Sequence, residues 1–142
     1  MVWAVDERHA PDYWFPRQCP RAMAWRTDAS SDADVAALLT GADRVHMIEY
    51  GWLEAFLTAE VYAYRFDAEQ FTPFGDDGHA MVATVEVVPL GPPEPVGALA
   101  ALHDAARIEL RVVPSLEPWW DRVVTSSLGW SGIRLRNRRH GA

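Results

Sequence analysis

Residues 107–135, RIELRVVPSLEPWWDRVVTSSLGWSGIRL, decide the fold class. Ile108, Leu110 and Val112 alternate with Arg107, Glu109 and Arg111, the period of a strand buried on one face with a charged face outward. Ser115 then offers a cap, and Leu116, Trp119, Trp120, Val123 and Val124 recur at helical spacing as one apolar stripe, with Pro118 tolerated in the first turn. Adjacent Trp119 and Trp120 point about 100° apart, so one of them must lie at the stripe's edge. Ile133 and Leu135 alternate with Arg134 and Arg136, which predicts a last strand. A strand, a helix and a strand follow one another here without the Gly-rich turns of a doubly wound sheet. The expected class is α+β, one domain over 1–142 with a mixed or antiparallel sheet of about six strands and three to five helices.

The upstream segments read the same way. Val2 to Asp6 predicts a strand, with Asp6 capping a helical turn within Glu7 to Phe15, and Ala22 to Arg26 predicts a second strand. Between them Pro16 and Pro20 stiffen the PRQCPR loop. Ser31 and Asp34 form an approximate capping box for a short helix over Val35, Leu38 and Leu39, and Gly41 stops it. Arg44 to Glu49 reads as a strand running into a helix that carries Trp52, Leu53, Phe56 and Leu57. Strands are expected at Val61 to Phe66 and Ala80 to Val88, and a helix is expected to begin at Pro95 with Val96, Leu99, Ala100 and His103 on one face.

Composition narrows the function classes. All 13 basic residues are arginine and the one asparagine is Asn137, a bias that fits a GC-rich bacterial genome. A net charge of -7 repels phosphate polyanions, so nucleic acid is not an expected partner. No apolar run approaches the ~18 residues of a membrane span, and no secretion signal opens the chain, so a cytoplasmic protein with no membrane partner is expected. Cys19 is the single cysteine and no Cys/His spacing matches a zinc site, so neither a disulfide nor a metal is expected. Seven tryptophans imply an aromatic core, a stacking pocket or an interface.

Common catalytic motifs are absent from the sequence: no phosphate-binding glycine loop, no HExxH and no GxSxG. Histidines 9, 46, 79, 103 and 140 are scattered; His103 lies near a helix C-terminus, where the dipole favours a protonated ring. Two arginine clusters are therefore the candidate ligand-binding residues. Arg17 and Arg21 flank Cys19, where a stiff loop can present guanidinium forks to a carboxylate or phosphate. Cys19 itself is expected to be structural. The second cluster sets Glu109 and Arg111, with Arg107, against Arg134 and Arg136, with Asn137 to Arg139 beyond; if the two strands are neighbours their charged faces coincide. Tyr62 and Tyr64, on one face of their strand, can add stacking and hydroxyls. The alternative for each cluster is a solvated face pairing with the excess of acids.

Taken together, VWAVDERHAPDYWFPRQCPR (2–21), RVHMIEYGWLEAF (44–56), VYAYRF (61–66), VVPLG (87–91), IELR (108–111) and SGIRLRN (131–137) resemble an uncharacterised bacterial domain family of unknown function. Members of that family begin with a further strand carrying an LFHFSEE-like motif, whereas this chain starts at its VWA strand. Where they carry a GYWVS-like stretch, this chain has His79, Ala80, Met81, Val82 and Ala83. The order of elements also resembles compact ADP-ribosyltransferase-like folds. That likeness implies NAD or another nucleotide, although no cofactor is called for by the residues themselves. Without the first strand the NAD-gripping histidine of such enzymes is missing, which implies a degenerate enzyme. The leading expectation is thus a domain for a small anionic or nucleotide-like ligand. The alternatives are an interaction module, as in a homodimer, and a biosynthetic enzyme with an aromatic-lined pocket.

Overall fold

The computed structural model describes residues 1–75 and 80–140. In chain order its strands are β1 (Val2–Val5), β2 (Arg21–Trp25), β3 (Arg44–Glu49), β4 (Tyr62–Ala63), β5 (Thr72–Pro73), β6 (Ala80–Ala83), β7 (Glu94–Pro95), β8 (Glu109–Val113) and β9 (Gly129–Ile133). Its helices are α1 (Asp32–Asp34), which continues as a π-helical turn over Val35–Leu39, α2 (Leu53–Thr58), α3 (Leu99–Ala105) and α4 (Glu117–Val123). The fold is α+β, with mixed and antiparallel sheets. The chain forms two compact units, Met1–Trp14 with Glu60–Gly97, and Phe15–Ala59 with Ala98–Ala142.

The first unit holds an antiparallel sheet in the order β1-β6-β5 and the two-stranded pair β4-β7. Trp3 opposes Val82 across the β1–β6 ladder and meets Phe74 edge-on, ring centres 4.7 Å apart. Three expectations are corrected here. The strand read over 61–66 is ordered as a ladder only at Tyr62–Ala63, and the one read over 80–88 ends at Ala83. Pro95 starts no helix: it lies opposite Tyr62 in an isolated two-stranded pair, where a residue without an N–H is tolerated. The helix begins instead at Leu99, after Gly97 takes a φ of +98°.

The second unit is built on a four-stranded sheet in the order β8-β3-β2-β9, with β8 parallel to β3 and the other pairs antiparallel. Helices cover both of its faces. On one, Ala22, Ala24, Val45 and Met47 pack with Leu38 and Leu39 of the π-helical turn and with Leu116, Trp119 and Val123. On the other, Met23 lies opposite His46, and His46 stacks edge-on against His103 of α3. Burial on both sides explains why five consecutive residues of β3, Val45 to Glu49, are buried.

Of the expected capping box only the N-cap half forms: Ser31 Oγ accepts from the Asp34 N–H at 3.1 Å, whereas the Ser31 N–H donates to Ser127 Oγ and the Asp34 carboxylate accepts from Ser127, and the turn ends at Thr40 in a left-handed conformation, φ 49°. On the charged face of β8, Glu109 is exposed but Arg111 is covered. Arg111 donates to the Leu38 and Leu39 carbonyls at 2.9 and 3.0 Å and to Thr40 Oγ1 at 2.9 Å. At this helix end the Arg111 fork adds a charged donor to each of two carbonyls, beside the Trp119 indole N–H on Leu38 and the Ala42 N–H on Leu39.

The last strand is also corrected. It runs over Gly129–Ile133, Arg134 turns left-handed at φ 56°, and Leu135–Asn137 form a 3₁₀ turn. Gly132 permits this packing, since a Cβ there would fall 2.5 Å from Leu135 Cδ1 and 2.8 Å from the Trp120 ring. Trp119 is in the core while Trp120 is half-buried, edge-on to Trp130, so the two tryptophans divide as their spacing predicts.

Candidate functional site

β8 and β9 lie at opposite edges of their sheet, so the charged faces of Glu109 and Arg111 and of Arg134 and Arg136 do not coincide. Two intervening strands separate them, which corrects the expected cross-strand cluster. What the topology does gather is one end of the sheet. β2 begins there, and β3, β8 and β9 all end there, because β3 and β9 run antiparallel to β2 and β8 runs with β3. The PRQCPR loop, the Tyr50–Trp52 turn, Pro114 and the segment Arg134 to Arg139 therefore emerge together.

Specific bonds fix this end. Asn137 Nδ2 donates to the Gln18 carbonyl at 2.8 Å, which ties the loop holding Arg17 to the turn after β9. Glu49 is buried and accepts from two backbone N–H groups, Leu116 at 3.1 Å and Arg139 at 2.7 Å, so one carboxylate joins β3 to the start of α4 and to the C-terminal segment. Arg138 pairs with Glu117 at 3.1 Å. Beside these bonds opens a cleft of about 300 Å³. Glu49, Tyr50, Gly51, Trp52, Pro114, Asn137 and Arg139 line it.

The expected site residues are distributed unevenly. Arg17, Arg134 and Arg136 are exposed at this end, and Arg139 is exposed on the cleft. Among the described residues none of these four guanidinium groups makes a hydrogen bond or ion pair. Arg21 is 5% exposed, donates to the Cys19 carbonyl at 2.9 Å and lies over the Phe15 ring. Arg111 caps the π-helical turn and Glu109 pairs with it at 3.1 Å. Tyr62 and Tyr64 belong to the first unit, both exposed. Sequence reasoning overlooked Glu49, Tyr50 and Trp52. An acid directly after the apolar pair Met47 and Ile48 at the strand's end was the signal available for Glu49.

Two other groups that carry chemistry are closed off. Cys19 is fully buried, and burial pushes its thiol up to about 12. His46 and His103 are buried in a directional chain. Arg44 Nε donates to His46 Nε2 at 3.0 Å, His46 Nδ1 lies 2.9 Å from His103 Nε2, and His103 Nδ1 lies 2.8 Å from the Leu99 carbonyl. Guanidinium only donates and a carbonyl only accepts, so both rings are neutral and each carries its proton on Nδ1. Burial is the largest influence holding His46 well below the ordinary imidazole value, with Arg44, His103 and Arg21 adding to it. Burial also lowers His103, against its bond to Leu99. The helix-dipole expectation of a protonated His103 is thereby corrected: desolvation outweighs the dipole. His79 lies outside the described residues.

Among the described residues, no three His, Cys, Asp or Glu side chains stand together as metal ligands, and no helix is long and apolar enough to cross a membrane. An α+β chain whose second unit gathers unpaired arginines at one sheet end is the class defined so far. The family model described as "Family of unknown function (DUF6886)" matches residues 1–138, and the chain belongs to that family. No curated protein and no solved structure matches it.

Proposed function

We propose that the protein binds a small anionic ligand at the arginine-bearing end of the four-stranded sheet. The observation that carries this reading is the set of exposed guanidinium groups of Arg17, Arg134, Arg136 and Arg139, unpaired among the described residues of a chain whose net charge is -7. With acids in excess, surface arginines ordinarily find carboxylate partners. Those left without one offer planar forks to a carboxylate or phosphate. The negative field around them disfavours large polyanions and tolerates a ligand with one or two charges, so nucleic acid is not the partner.

The narrower reading, a nucleotide-like ligand on a degenerate ADP-ribosyltransferase-like scaffold, rests on the layout of elements and on the aromatic rings of Tyr50 and Trp52 at the cleft. The buried His46, His103 and Cys19 offer a ligand neither base nor nucleophile, which leaves Glu49 as the carboxylate on the cleft. A cytoplasmic location accords with a single, buried cysteine. The test is a thermal-shift screen of inorganic phosphate, nucleotides, phosphosugars and dicarboxylates at low and moderate salt. Ligand at 100 times its dissociation constant adds about 2.7 kcal/mol. Absence of any shift at millimolar anion overturns the proposal. A second reading, self-association, draws on the exposed Trp3–Phe74 pair of the first unit, and a monomeric mass in solution removes it.

A further inference from the structure

Glu49 is an acid set against the arginines of the same site. It lines the cleft while 5% exposed, and its bonds are the two backbone N–H groups of Leu116 and Arg139, one to each oxygen. A carboxylate offers about four acceptor positions, so two bonds leave each oxygen able to accept another. No guanidinium neutralises it among the described residues. Both oxygens are satisfied by the two N–H groups, and a donor reaching them from the cleft would add to these bonds.

The rest of the lining gives the donor's setting. Tyr50 and Trp52 supply aromatic surface, and Pro114 a rigid apolar one. Arg139 supplies a guanidinium fork on the same cleft. A volume of about 300 Å³ is at the lower end of ligand sites, room for one ring system and its substituent and not for a dinucleotide.

We infer that the cleft takes a single heteroaromatic ring that bears an amine and carries an anionic group, as in an amine-bearing nucleoside monophosphate. Glu49 accepts from the ring amine, Tyr50 and Trp52 contact the ring, and Arg139 holds the anion. This rests on the anionic-ligand reading and adds the identity of the ligand's other end.

The experiment is calorimetric titration of the full chain with AMP, GMP and CMP, which carry an exocyclic amine, with IMP and UMP, which do not, and with ribose 5-phosphate. At least one amine-bearing probe is expected to bind tenfold or more tighter than IMP, UMP and ribose 5-phosphate. Arg139→Ala should weaken that probe at least tenfold. Tyr50→Ala, at an exposed position, should remove its advantage over ribose 5-phosphate, and Glu49→Gln its advantage over IMP and UMP. The ligand series itself decides the matter if Glu49→Gln fails to fold. Equal binding of all six probes, or binding of other anions but none of these, overturns the ring assignment and leaves the anionic-ligand reading standing. If no anion of any kind binds, both fall.

Discussion

Acidification from pH 7.5 to 5.5 should destabilise the second unit through His46 and His103, by an amount the hydrogen-bond chain sets. In the native protein each ring is neutral with its proton on Nδ1, and each Nε2 already accepts a bond, from Arg44 or from His46. A second proton on His103 would set an N–H against the N–H of His46, and one on His46 would face the Arg44 guanidinium. Both folded-state values are lowered from 6.5, so between the two the unfolded chain binds protons that the native state refuses. Stability from this source is present above pH 6.5 and is lost as pH falls.

For a ring that stays neutral when folded, the loss at pH 5.5 is about 1.4 kcal/mol, and for two rings about 2.8 kcal/mol as an upper bound. Asp6 and Asp34, whose values lie below 3.8, act in a lower window and leave this one clear. Urea unfolding at the two pH values measures the loss, and His46→Gln, whose amide can both accept from Arg44 and donate to His103, should reduce it by about half. An equal loss in the variant, or an NMR titration placing either ring above 6.5, would refute the reasoning.

Trp119 lies in the core with its indole N–H donating to the Leu38 carbonyl at 3.2 Å, so Trp119→Ala should cost about 3 to 5 kcal/mol in urea unfolding. A loss under roughly 1 kcal/mol would contradict the packing of α4. Arg111→Ala removes a charged donor from two helix-end carbonyls that each keep one other partner and should cost about 1 to 2 kcal/mol, while Arg111→Lys, a point charge without the fork, should restore less than half of that. Native Cys19 should react with iodoacetamide at neutral pH at least a hundredfold more slowly than the urea-unfolded chain; rapid native labelling would make it a thiolate.

Local features were legible in the sequence, and features set by distant contacts were not. The Ser31 cap, the Leu116–Val124 stripe and the edge position of one tryptophan depend on residues within a turn or two of each other. Strand parity told which side chains of β8 share a face and said nothing of what covers that face, so Arg111 read as solvated although a helix end lies on it. Arg134 is left-handed without being Gly, Asn or Asp, and the alternation of residues 133–136 masked the end of the strand. Three of the four arginines of the candidate site were legible, Arg17, Arg134 and Arg136. The cleft was not, because Glu49 meets partners 67 and 90 positions along the chain, a juxtaposition only the strand order creates.

Titration calorimetry of inorganic phosphate into the intact chain tests the anionic-ligand reading most directly, run at two salt concentrations and repeated on a variant with Arg134→Ala, Arg136→Ala and Arg139→Ala. Saturable binding that weakens with salt and falls at least tenfold in the triple variant is the predicted result. No saturable heat at millimolar phosphate, or binding that survives the three substitutions, would contradict the account.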